Sequence, residues 1–361
     1  MQAMLLGYID VFWTLAAQLG REMVALAKRL ERVTPDAEGV AHLTGWVGEF
    51  MALHEVWAPV FASFQAASRN LPPRGRESGA ISDRTGLALL RAFGVPEDAR
   101  HRRLTTGLVA VLIRCSFFAE QVPPGVDRQP LVDGLALLLH RVLEGPIDGV
   151  NVNRSGPARR RRVAIAAPEP TEDDRPLRAR GAQTRTRLLE AGASVLPARG
   201  YHDTRVDDIV AAAGVSHGTF YRYFDNKDDF FRVLAEGASS RMIDLLDKLR
   251  IDADEEELRA WLQEWFAVYE ADGGVISTWQ EMQTSPELAA FSKQVAASVF
   301  TRLVRILERR DFGDPDVDAT TFLALVERLP YSVFTLRFTS TADAVESMIT
   351  VIRRGFLALP E

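Results

Sequence analysis

The side chains best suited to recognising another molecule cluster within one stretch, Thr204–Phe231, TRVDDIVAAAGVSHGTFYRYFDNKDDFF. His217, Thr219, Tyr221 and Arg222 offer hydrogen-bonding groups at close spacing, and Gly218 among them lets a backbone approach a surface closely. Their chemistry is readout rather than bond-making: donors and acceptors for base edges and phosphates. Two short helices must present them. Val206, Ile209, Val210 and Ala213 recur at helical spacing, so Arg205–Ala213 has one apolar face. Gly214 follows, where a helix needs a left-handed stop residue. Ser216 stands where the next helix needs an N-cap, its hydroxyl placed to accept the N–H of Thr219. Phe220 and Phe224 take the inner face, leaving His217, Gly218, Tyr221 and Arg222 mostly outward. A glycine turn between two short helices with a polar outer face is what a helix-turn-helix offers the major groove.

From Leu188 to Leu234 the chain resembles the DNA-binding head of the TetR (tetracycline-repressor-like) family of bacterial transcription regulators. The resemblance rests on LLEAGASVL, then RGYHDTRVDDIVAAAGVSHGTFYRYF, then the NKDDFF that opens the next helix. Two departures stand out. Pro197 occupies a position that usually holds an aromatic, so the first helix is expected to end early or bend there. Arg205 replaces a small hydroxyl residue and adds a cation. The resemblance implies that Tyr223 and Lys227 hold phosphates, the latter with the N-terminus of its helix, and Thr204 is expected to join them. It gives base readout to His217, Thr219, Tyr221 and Arg222 within Ser216–Tyr223, with Gly218 allowing close approach. We add Arg185 and Arg205 as further phosphate contacts. The resemblance also implies a helical domain after the head with a small-molecule pocket and a dimer interface. Trp261, Trp265, Phe266, Tyr269, Trp279, Met282 and Phe300 are candidate pocket residues, although packing in a core explains most of them equally well. Such a lining suits a small hydrophobic effector. Double-stranded operator DNA is the expected macromolecular partner, and family habit favours repression.

The 361 residues allow two domains or more, and the 47% hydrophobic and 25% charged content is that of a soluble globular chain. A net charge of −6 excludes generic polyanion binding, so DNA contact requires a local patch. One cysteine, Cys115, excludes an intramolecular disulfide, and its apolar setting (LVAVLIRCSFF) points to a structural thiol. The start lacks a signal peptide and no apolar run is long enough to span a membrane, so a cytoplasmic location is expected. The chain holds no H-E-x-x-H, paired cysteines, P-loop or G-x-S-x-G, and His42 and His54 lie too far apart for a helix-face metal pair. No enzyme, cofactor or metal site is expected.

In chain order an all-α architecture emerges. Helices are expected over 1–33, 37–70, 82–93, 99–121 and 131–143. A Pro-, Gly- and charge-rich linker follows over 145–182, with a four-arginine run at Arg159–Arg162 that reads as a solvated loop or as an arm reaching phosphate. The head occupies 183–226. Helices then follow over 227–249, 255–272, 276–310 (broken near Pro286), 317–338 and 342–359. Sliding the chain by about 218 residues matches Phe12 to Phe230, Leu43 to Trp261, Val47 to Trp265 and Leu104 to Phe322. Residues 1–144 are therefore expected to be a second regulatory domain without a head, and 227–361 the ligand-binding and dimerisation domain. Either the gene encodes one head with two such domains, or the true start lies upstream and includes a second head. The last two helices of each half are expected to pair as a four-helix pseudo-dimer within one chain, with a homodimer as the alternative. The rival to a DNA-binding regulator is an effector-binding or interaction protein with weak or lost operator binding.

Overall fold

The computed structural model describes residues 2–61, 75–121, 126–146, 179–250, 252–282, 286–310, 312–334 and 337–359. Among them the regular structure is helical, with no strand. The helices are α1 Gln2–Lys28, α2 Ala37–Val56, α3 Gly75–Phe93, α4 Ala99–Gln121 and α5 Arg128–Leu143. There follow α6 Ala179–Asp203, α7 Val206–Ala213, α8 His217–Phe220, α9 Lys227–Lys248, α10 Glu255–Met282 and α11 Pro286–Leu307. The chain closes with α12 Pro315–Phe334 and α13 Thr341–Thr350, which runs on into a π-helical turn over Val351–Phe356. Arg159–Arg162 and most of the expected linker lie outside the described residues.

The described residues form two compact units. One draws on 1–158, 251–259 and 303–361, the other on 159–250 and 260–302. In the first, α1 packs on α2 and α3, α3 packs on α4, and α2 packs on α4 and α5, while α4 and α5 in turn pack along α12, α13 and the π turn. Helix α12 is buried around its whole circumference: Val317, Phe322, Leu325, Val326, Leu329 and Tyr331 all lie out of solvent. A helix apolar on every side needs neighbours on every side, and α4, α5 and α13 supply them. Arg114 of α4 donates twice to Glu327 of α12, at 3.0 and 2.6 Å. Cys115 is buried beside Thr321, and desolvation pushes its thiol up to about 12, so it stays protonated and inert.

Several boundaries differ from the sequence expectation. Helix α1 stops at Lys28, short of the expected 33, and buries Phe12, Leu19, Met23 and Leu26 while Leu15 is exposed. Helix α2 ends at Val56, because Trp57 leaves helical geometry and its N–H bonds back to Leu53 and His54. Helix α10 runs ten residues past Asp272, since Asp272 is not a stop: its buried carboxylate takes two bonds from Arg241 of α9, at 2.8 and 2.5 Å. Helix α6 continues through Pro197 and breaks instead at Gly200, whose φ of 74° and ψ of 175° only glycine adopts without strain.

Candidate nucleic-acid interface

The second unit builds the helix-turn-helix on an aromatic centre. Phe220 and Phe224 of the turn region pack on Phe230 of α9, with ring centroids 5.4 and 4.8 Å away. Leu188 and Leu196 of α6, and Ile209 and Val210 of α7, close around them. Gly192 lets α6 approach α9, because a Cβ there would sit 2.4 Å from Phe230 Cζ.

Local capping then fixes the turn. Arg205 is the N-cap of α7, and its N–H donates to Asp208 at 2.9 Å. Asp207 and Asp208 place negative charge at the positive end of the helix. Gly214 ends α7 in the left-handed region at φ 64°, and the N–H of Val215 returns to the carbonyl of Val210 at 3.0 Å. Ser216 Oγ accepts the N–H of Thr219 at 3.3 Å and lies 2.9 Å from its hydroxyl. Helix α8 is only His217–Phe220, and its line is continued by turn bonds from the N–H groups of Tyr223 and Phe224 to the Phe220 carbonyl. Asn226 opens α9 by accepting the N–H of Asp229 at 2.8 Å.

This scaffold presents Ser216, His217, Gly218, Tyr221 and Arg222 together on an exposed surface, with Thr219 half-buried beneath them. Tyr221 is 56% exposed, with its ring beside those of Phe220 and His217. Arg205 is exposed, and Tyr223 and Arg185 are half-buried. The Arg185 guanidinium stands 5.8 Å from the Phe224 ring centroid. Lys227 is half-buried: its ammonium donates to the Tyr201 carbonyl at 3.0 Å and lies over the Tyr201 ring. Burial holds its pKa below the usual lysine range, against the pull of Asp228 and Asp203.

Thr204 corrects the sequence reading. It is fully buried and its hydroxyl donates to the Gly200 carbonyl at 2.6 Å, so the side chain cannot reach a phosphate. Its work is to close the break that Gly200 opens in α6. Several residues that sequence reasoning passed over also shape the surface. Asp207 bonds to His217 Nε2 and so orients the imidazole from the preceding helix. Arg187 donates to the Ala213 carbonyl at 2.5 Å, tying α6 to the end of α7, and Arg199 pairs with Asp208 at 3.1 Å. Tyr201 donates to Asp228. None of these carried a local signal, whereas Gly200 did, as a glycine at the end of a helical run.

The proposed effector residues pack as a core where they are described. Trp261, Trp265, Phe266, Tyr269 and Phe300 are all buried. Trp261 stacks on Trp265 at 5.3 Å and donates its indole N–H to the Leu245 carbonyl at 2.8 Å. The side chains of Trp279 and Met282 lie outside the described residues. Among the described residues no cluster of three metal-ligating side chains exists, and no helix is long and apolar enough to cross a membrane.

A capped helix, a left-handed glycine turn and a short second helix with a polar outer face define a helix-turn-helix domain. Residues 188–234 match the family described as bacterial regulatory proteins, tetR family. The chain is 36% identical over 76 residues to the uncharacterized HTH-type transcriptional regulator YdgC of Bacillus subtilis, which covers 21% of this chain and 39% of that protein. It is 32% identical over 135 residues to the HTH-type transcriptional activator FasR of Mycolicibacterium smegmatis, covering 36% of this chain and 61% of FasR. It is likewise 32% identical over 129 residues to the HTH-type transcriptional repressor DhaR of a Mycobacterium species, covering 35% and 60%. The matched part of the chain thus spans from about two fifths to three fifths of these relatives' lengths. Among solved structures, a regulatory protein TetR from Rhodobacter sphaeroides aligns at 26% identity and TM-score 0.40, over 47% of this chain and 98% of that one.

Proposed function

We propose that this protein is a sequence-specific DNA-binding transcriptional regulator, a repressor released when a small hydrophobic effector binds. The observation that carries the reading is the exposed array Ser216–Arg222 on a turn capped by Gly214, Ser216 and Asn226, within a segment matched to regulators. A structural three-helix core has no need of an exposed Tyr221 beside an exposed Arg222. His217, Thr219, Tyr221 and Arg222 would read base edges. Arg205, Arg185, Tyr223 and Lys227, with the N-terminus of α9, would hold the phosphates. Thr204 has no such role.

The reading extends to four segments: a regulatory domain over 1–144, a linker over 145–182, the head over 183–226, and a ligand-binding and dimerisation domain over 227–361. Trp261, Trp265, Phe266, Tyr269 and Phe300 would line the effector site. Equivalent capping supports the repeat: Asp36 accepts the N–H of Gly39 at the start of α2, and Asp254 that of Glu257 at the start of α10.

The test is selection of bound duplexes from a random-sequence DNA pool by the purified chain. Convergence on one motif, lost when Tyr221→Ala and Arg222→Ala are combined, is the expected result. A pool that stays random through successive rounds would favour an effector-binding protein without operator recognition.

A further inference from the structure

The first unit contains two copies of one helical hairpin, and their capping sets the register. Asp98 accepts the N–H of His101 at the start of α4, and Asp314 accepts that of Asp316 at the start of α12. Counted from those caps, Thr105 and Thr321 both donate to the carbonyl four residues back, and so do Ser116 and Ser332. Counted from Asp127 before α5 and Ser340 before α13, every buried residue of α13 and its π turn falls on a buried residue of α5. In this register Val142 and Gly355 are equivalent positions. They also face each other, since a Cβ on Gly355 would lie 3.0 Å from Val142 Cγ2. Equivalent positions that touch mark a local two-fold axis.

We infer that the two hairpins are unlike partners, matched to each other and mismatched against themselves, so that α4 and α5 fill, within the same chain, the face through which α12 and α13 would otherwise dimerise. This deepens the proposed reading of two regulatory domains and rests on it. Three contacts argue for it. The Arg114–Glu327 pair is largely buried, with side chains 20% and 28% exposed. The position equivalent to Arg114 in α12 is Pro330, and that equivalent to Glu327 in α4 is Val111. Pairing either hairpin with its own kind would leave a half-buried charge against an apolar side chain, which costs far more than an exposed pair returns. Arg103 pairs with Asp343 at 3.1 Å, and the equivalents here are Ala319 and Pro130. At the axis, valine meets glycine. Two α13 copies would leave a void between glycines, and two α5 copies would collide valine on valine.

Light scattering on the full chain across a range of concentrations reads this directly, and a monomer mass at every concentration is expected. Arg114→Glu and Glu327→Arg should each lower the melting temperature by about 5 °C, and R114E/E327R should regain most of the loss. A second pair uses shape instead of charge. Gly134→Ala would set a Cβ 2.3 Å from Val317 Cγ1 and should lower the melting temperature, which Val317→Ala in the same chain restores in part. A particle of twice the chain mass, or double variants no more stable than their worse single, would overturn the inference. Neither readout uses DNA. A dimer that binds a selected motif would sink this inference and leave DNA binding standing, whereas a monomer that selects none would do the reverse.

Discussion

His54 is 2% exposed, stacks on Phe61 with centroids 4.2 Å apart, and among the described residues has no hydrogen-bond partner at either ring nitrogen. Desolvation lowers its pKa to about 4, so it folds as neutral imidazole. The unfolded imidazole titrates near 6.5 and binds more protons than the folded one between the two values. Stability therefore falls as pH drops from about 6.5 to about 4, by on the order of 3 kcal/mol. Thermal melts at pH 7 and pH 4.5 should show this loss, and His54→Phe should remove much of it. A loss unchanged in the variant would assign the effect to other groups. In the head, residue-scale roles separate by salt. Tyr221→Ala or Arg222→Ala should weaken binding to a selected motif by about 1–3 kcal/mol and relax its sequence preference. Arg205→Ala should weaken all sequences alike and flatten the salt slope. The exposure of His217, Tyr221 and Arg222 was legible in the sequence because their spacing on a short helix fixes which way they point. Thr204 was not, since its partner is the carbonyl that a helix break at Gly200 frees.

At the scale of elements, the turn depends on a few backbone conformations. Gly214 at φ 64° and the Ser216 cap together set the angle between α7 and α8. Ser216→Ala removes one cap bond and should cost about 1 kcal/mol of stability. Gly192→Ala forces a Cβ into the Phe230 ring and should cost about 1–3 kcal/mol, measured by urea unfolding of the full chain. A cost near zero for Gly192→Ala would mean that α6 and α9 can part without loss. Among the described residues, helix identities were readable because apolar residues recur at helical spacing. The ends were less so. Helix α10 passes Asp272 because Arg241, thirty-one residues earlier, satisfies that carboxylate, and no local pattern announces a partner so distant. Helix α6 passes Pro197 and kinks at Gly200, where a positive φ is required.

At the scale of the molecule, the proposed repeat does not keep one register along the chain. A slide of about 218 residues aligns Asp36 with Asp254, whereas the caps of α4 and α12 lie 216 apart and those of α5 and α13 lie 213 apart. Shorter connections in the second half move each later element by whole residues, and apolar periodicity tolerates such slips. The pairing of Arg114 with Glu327 was invisible for a different reason: 213 residues separate them, and each alone reads as an ordinary surface charge. The central claim, recognition of a specific duplex through the head, is tested most directly by fluorescence anisotropy. A selected motif and a scrambled duplex would be titrated at several salt concentrations with the wild-type chain and with Tyr221→Ala. The account predicts salt-dependent binding to both duplexes, tighter to the selected motif, with Tyr221→Ala narrowing that gap while keeping the salt slope. Equal affinity of the wild-type chain for both duplexes, or an unchanged gap in Tyr221→Ala, would contradict it.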